Sequence, residues 1–109
     1  MAYFVCKLVA PRSTFPGDMT PEEGALMGAH MAYWAGLAAS GKAIVVGPVA
    51  DPAGFWGLAV VDVGGEADVQ AIVTDDPVTR DGSGFRYEVH PMPQAILRDS
   101  RPSGQQAAQ

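Results

Sequence analysis

The sequence predicts an α+β protein of ferredoxin-like type, an antiparallel four-stranded sheet with helices on one face in the order β-α-β-β-α-β. Three observations carry that expectation. Segments 2–9, 42–46, 55–63 and 85–92 are short, rich in β-branched and aromatic residues, and bounded by glycine or proline. Residues 20–40 place their large apolar side chains at helical spacing, and 66–74 form a shorter stretch of the same kind. These helical stretches follow the first and third strands, which is the arrangement of two split β-α-β units.

Segment 2–9 alternates Phe4, Cys6 and Leu8 on one side with Tyr3, Val5, Lys7 and Val9 on the other. Both sides are largely apolar. A strand in a small antiparallel sheet usually keeps one wet face, so the second side is expected to meet another layer or another subunit. Residues 10–19, with two prolines and a glycine, read as a loop. Thr20 and Glu23 then have the spacing of a capping box, and Pro21 suits the first helical position. The helix should run to about Ser40, where Gly41 supplies the stop. One of its faces carries Ala25, Gly28, Ala32, Ala35, Gly36 and Ala39, and reads either as weakly exposed or as a place where another surface approaches the backbone closely.

Segment 42–46 is read as a short central strand broken by Gly47-Pro48, and 49–54, containing Asp51-Pro52, as a turn. Segment 55–63 completes a hairpin and Gly64-Gly65 ends it. The stretch 66–74 is read as a helix with Ala67, Ala71 and Ile72 inward. Asp75-Asp76-Pro77 closes it, since the residue before proline avoids the α region. After a glycine-rich loop, 85–92 alternates Phe85, Tyr87 and Val89 against Arg86, Glu88 and His90.

Composition narrows the functional classes. A chain of 109 residues fits one domain, and 48% hydrophobic with 17% charged residues is a folded composition. The formal net charge is −5, and the seven basic residues are scattered singly, so no nucleic-acid footprint is present. No apolar run approaches the roughly 18–20 residues needed to span a bilayer. The N-terminus reads as an immediate strand and not as a signal peptide. The single cysteine, Cys6, excludes an internal disulfide and fits a reducing, cytoplasmic setting. The folded domain is expected over residues 1–97, with 98–109 as a mobile tail of Ser, Pro, Gly, Gln and Ala.

The residue that stands out is His30. Leu26, His30, Tyr33 and Leu37 recur at spacings of four, three and four, with Trp34 beside them, so a titratable ring lies in the apolar stripe of the long helix. A buried polar group without a partner costs about 1–3 kcal/mol. His30 is therefore either a core histidine bonded to backbone or a general acid or base facing a cleft, and the second reading needs a carboxylate partner. Asp51 and the pair Asp75-Asp76 are the candidates; each is also readable as a turn residue, Asp76 less so because Asp75 alone would serve a turn. Tyr33, Trp34, Phe55 and Trp56 are candidates to line an apolar pocket beside it, or are plain core. No Cys/His cluster has metal-ligand spacing, and neither G-x-G-x-x-G nor a Walker motif occurs. No cofactor or metal is therefore expected.

These pieces together resemble a known family. The run Ala29-His30-Met31-Ala32-Tyr33-Trp34-Ala35-Gly36-Leu37, then Gly41-Lys42, Val46-Gly47-Pro48-Val49-Ala50-Asp51, Gly57-Leu58-Ala59-Val60-Val61, Asp75-Asp76-Pro77 and Phe85-Arg86-Tyr87-Glu88-Val89 is similar to the YciI-like (YCII-related) family. The resemblance covers Ala2 to about Ile96. It implies a dimeric α+β barrel, in which two ferredoxin-like units face each other across their sheets, and it implies that His30 and Asp76 form an acid/base pair. It also implies elimination chemistry of the kind that removes halide from a chlorinated, hydroxylated ring.

Two functions follow as expectations. One is a small cofactor-free enzyme, a lyase or isomerase acting on a small cyclic or aromatic metabolite, with His30 moving the proton, Asp76 orienting it and Asp51 as a further pocket carboxylate. The other is a non-catalytic dimeric module of the same fold that binds a ligand or serves as an accessory protein. A homodimer is expected in either case.

Overall fold

A computed structural model describes residues 1–99, so the tail expected at 98–109 lies, from residue 100 onward, outside the described residues. The elements are β1 (Ala2–Val9), α1 (Pro21–Ala39), β2 (Ala43–Val49), β3 (Trp56–Val63), α2 (Glu66–Asp75), α3 (Pro77–Asp81) and β4 (Arg86–Met92). The sheet order is β2-β3-β1-β4 and every neighbouring pair is antiparallel. This is the ferredoxin-like α+β fold.

β1 lies at the centre because both its neighbours can bury its inward residues. It pairs with β3 from Ala2↔Val63 to Val9↔Trp56 and with β4 from Tyr3↔Met92 to Val9↔Arg86. Phe4, Cys6 and Leu8 alternate inward and are buried, as are Ala59, Val61 and Val63 on β3. Trp34 of α1 and Val69, Ile72 and Val73 of α2 close this core from one side. A smaller cluster of Leu8, Phe15, Val78 and Phe85 joins the 10–19 loop to α3 and β4.

α1 begins as its sequence requires. The Thr20 hydroxyl accepts from the Glu23 backbone N–H, the Glu23 carboxylate accepts from the Thr20 N–H, and Pro21 occupies the first turn. Gly41, at φ 86°, takes the left-handed conformation that ends the helix. The face of small residues on α1 is exposed.

Three readings are corrected. β2 is an edge strand, and it continues through Gly47-Pro48 to Val49. An edge position tolerates a residue without an N–H, and it leaves Ile44 and Val45 outward and exposed. On α2 the inward residues are Val69, Ile72 and Val73, while Ala67 and Ala71 face out. The segment before β4 also contains an unexpected helical turn, α3, capped by Asp76 with Pro77 in its first turn.

Candidate active site

The site forms where α1, the α2–α3 junction and β4 converge. Pro77 forces Asp76 out of the helical region, to φ −60° and ψ 133°. Asp76 therefore ends α2 and begins α3, with its side chain turned inward and wholly buried. Oδ1 accepts from the Val78 backbone N–H at 3.1 Å, which is the N-cap bond of α3. Oδ2 accepts from Trp34 Nε1 at 2.8 Å and from the Tyr87 hydroxyl. His30 Nδ1 lies 2.8 Å from Oδ2 and 3.1 Å from Oδ1.

Four donors thus converge on one carboxylate. Burial alone would push the Asp76 carboxyl up. The bonds from His30, Tyr87, Trp34 and the Val78 amide outweigh it and hold the group below the ordinary aspartate value. Tyr87 moves the other way, raised far above the ordinary phenol by burial and by the adjacent Asp76, so it remains a donor. An ionised Asp76 fixes the His30 ring with Nδ1 as the donor. Nε2 then has no hydrogen-bond partner among the described residues.

His30 also lines a cavity of about 250 Å³ between α1, the sheet and the 10–19 loop. Its walls are otherwise apolar. Leu8 and Ala59 come from the sheet, Met27 and Trp34 from α1, and Phe15 and Pro16 from the loop. The loop is pinned to the helix start by Arg12, whose guanidinium donates to both Glu23 oxygens at 2.7 and 2.8 Å and to Asp18 Oδ1 at 2.9 Å. Phe15 packs edge-on against Phe85, with ring centroids 5.3 Å apart.

The sequence candidates divide accordingly. His30, Asp76 and Trp34 come together, and Phe55 stands at the cavity wall with its ring half out in solvent. Trp56 borders the cavity too, although its ring lies under Lys7 Nζ, 4.9 Å from the centroid. Strand register gives Trp56 and Lys7 to the opposite face of the sheet, so the ring is on that side. Tyr33 does not line this cavity; its hydroxyl donates to the Ile72 carbonyl at 2.6 Å. Asp51 does not line it either. Its carboxylate accepts from the Ala53 amide and from Trp56 Nε1, the bonding of a turn residue, and these bonds hold it below the ordinary aspartate value.

Tyr87 was not among the sequence candidates, although its position on the inward face of an alternating strand was a usable signal. A buried phenol must find a hydrogen-bond partner. Cys6 is fully buried and its thiol is pushed up to about 11 by desolvation, which suits packing and not nucleophilic attack. Among the described residues, no group of three or more His, Cys, Asp or Glu side chains is placed to hold a metal ion. No helix among them is long and apolar enough to cross a membrane.

The fold and site define a ferredoxin-like α+β protein with a buried His–Asp pair at the wall of an apolar cavity. Residues 1–93 match the YCII-related domain, and the chain belongs to that family. No curated protein matches the sequence. Among solved structures the chain is similar to the 5-chloro-2-hydroxyhydroquinone dehydrochlorinase TftG from Burkholderia phenoliruptrix AC1100, in complex with 2,5-dihydroxybenzoquinone. The two are 20% identical, with a TM-score of 0.61 over 87% of this chain and 96% of that one. At that identity the likeness establishes a common fold.

Proposed function

We propose that this protein is a cofactor-free acid–base enzyme of lyase or isomerase type, acting on a small cyclic or aromatic metabolite. The observation that carries the proposal is the His30–Asp76 contact of 2.8 Å at the wall of the apolar cavity. Asp76 holds the imidazole in one tautomer, and Nε2 takes a proton from an acidic ring carbon. The electron pair of the broken C–H bond enters the ring. Then either a leaving group departs with its own pair, or the imidazolium returns the proton to another atom. The first outcome is elimination and the second isomerisation. TftG, named as a dehydrochlorinase, supports the elimination branch as a reaction class. Among the described residues, no Ser, Cys or Lys side chain borders the cavity to offer covalent attack.

The test is a screen of halogenated and hydroxylated rings, cyclic ketones and lactones, read by NMR for loss or exchange of a ring proton. Wild type should turn over at least one of them. His30→Ala should lower that rate by about 10²–10⁴-fold while keeping the circular dichroism of the wild type. Unchanged turnover in the variant would sink the assignment. Asp76 also ties α1, α3 and β4 together, which is what the non-catalytic module would need of it. That reading predicts a less stable His30→Ala protein and no turnover of any ring by wild type.

The protein is further proposed to act as a homodimer, its two sheets meeting through the faces that no helix among the described residues covers. Val5, Val9, Leu58 and Val60 of β1 and β3 occupy that face by register and are half-exposed. A reducing cytoplasmic setting is proposed on the strength of one buried cysteine.

A further inference from the structure

We infer that the cavity takes a neutral, mostly apolar ring bearing a single hydrogen-bonding group, and that it discriminates against charged and polyhydroxylated rings of the same size. The inference deepens the acid–base reading and rests on it only in placing the reacting atom at His30 Nε2.

It starts from what the walls lack. Among the described residues, every lining residue other than His30 is apolar, aromatic, glycine or proline. The two indole N–H groups are already committed, that of Trp34 to Asp76 and Tyr87 and that of Trp56 to Asp51. His30 Nδ1 is committed to Asp76. One side-chain polar atom therefore remains for a ligand, Nε2. Among the described residues no Lys or Arg borders the cavity, so a ligand carboxylate or phosphate held inside it would be desolvated without a counter-ion. A second or third ring hydroxyl would likewise lose its water and gain no side-chain partner.

Size agrees with this. A dry protein cavity of about 150 Å³ takes up benzene, so 250 Å³ holds one ring with short substituents, or two fused rings. Met19, Met27 and Met31 border the space with flexible thioethers that adapt to the outline of an apolar ligand. Shape is thus loosely specified, while polarity is tightly specified.

The experiment uses the full chain and four probes of similar size: p-cresol, benzoate, benzylamine and phloroglucinol. Binding is followed by tryptophan fluorescence, because Trp34 borders the cavity, and by the ¹⁵N and ¹³C resonances of the His30 ring. p-Cresol should bind and shift the His30 resonances. The other three should bind at least about tenfold more weakly, the equivalent of about 1.4 kcal/mol. Val46→Trp, which fills the space from β2, should abolish p-cresol binding while the thermal melt stays cooperative. Failure of p-cresol to bind overturns the inference. So does binding of benzoate, benzylamine or phloroglucinol as tight as p-cresol with the same His30 shifts. Either failure leaves the acid–base reading standing, since that reading falls on the turnover of His30→Ala.

Discussion

At the scale of single residues, Asp76 carries the most. It ends one helix, starts the next, and receives His30, Trp34 and Tyr87 from two other elements. Replacing it by Asn removes the charge while keeping the volume, and leaves several buried donors sharing a weaker acceptor. Asp76→Asn should cost about 3 kcal/mol at neutral pH. The sign of the pH dependence follows from the lowered carboxyl. A folded-state value below the unfolded one contributes stability above the unfolded value, and that contribution is lost as pH falls through the folded value. Urea unfolding from about pH 6 to about pH 3 should therefore show a constant gap between wild type and variant at first. The gap should then narrow once pH drops below the ordinary aspartate value of about 4. A gap that widens on acidification would contradict an ionised Asp76.

Much of this residue-level picture was legible in the sequence, and the reasons for the rest are specific. His30 was visible because helical spacing put it among apolar neighbours. Its partnership with Asp76 joins positions 46 residues apart in sequence; the spare aspartate Asp75 favours Asp76 over Asp51 only weakly, and the family resemblance adds the rest. Asp51 misled because both aspartates precede a proline. One forms a turn in the hairpin, the other a junction between two helices, and the difference lies in what the chain does afterwards.

At the scale of elements, the 10–19 loop and α1 act as one unit. Thr20 and Glu23 cap the helix, and the same Glu23 carboxylate receives Arg12, which also holds Asp18. The Arg12 guanidinium and the Thr20 amide keep the Glu23 carboxyl down at about 2, so the arrangement persists well into acid. Thr20→Ala should cost about 1 kcal/mol of stability through loss of the cap. Arg12→Ala should do something different, because it frees the loop that supplies Phe15 and Pro16 to the cavity wall. Binding of a cavity ligand such as p-cresol should weaken severalfold in Arg12→Ala and much less in Thr20→Ala. Calorimetric titration of both variants checks this, and equal losses would mean that the loop does not shape the cavity.

Sequence pattern served the elements unevenly for physical reasons. α1 was legible to its caps because capping chemistry is local. β2 was cut short because Gly47-Pro48 has the composition of a break, and the edge position that makes Pro48 harmless is a property of the whole sheet. α3 is hidden in the sequence although Asp76-Pro77 has the form of an N-cap followed by a first-turn proline. The same residues also close α2, so one local signal serves two helix ends.

At the scale of the molecule, the two faces of the sheet have different fates. One is covered by α1 and α2, while no helix among the described residues covers the other. The outward residues of β1 and β3 pair as Tyr3↔Asp62, Val5↔Val60, Lys7↔Leu58 and Val9↔Trp56, an apolar band crossed by one cation and ended by one carboxylate. β4 adds Arg86, Glu88 and His90 on the same face, with Arg86 and Glu88 in a 2.9 Å ion pair. An apolar band with a charged margin is the form of a protein interface. With Val5 and Val60 paired centrally, and charges of both signs in and around the band, the face suits a two-fold contact. Light scattering should accordingly return twice the chain mass of 11.4 kDa. Val60→Lys should return the single mass, because two introduced ammonium groups would be buried against apolar surface or against each other. Val60 points away from the His30 cavity, so a folded Val60→Lys monomer also separates assembly from chemistry. If that monomer keeps ligand binding, each cavity is complete within one chain. A Val60→Lys protein that remains dimeric would place the interface elsewhere, on the exposed small-residue face of α1 or on the β2 edge.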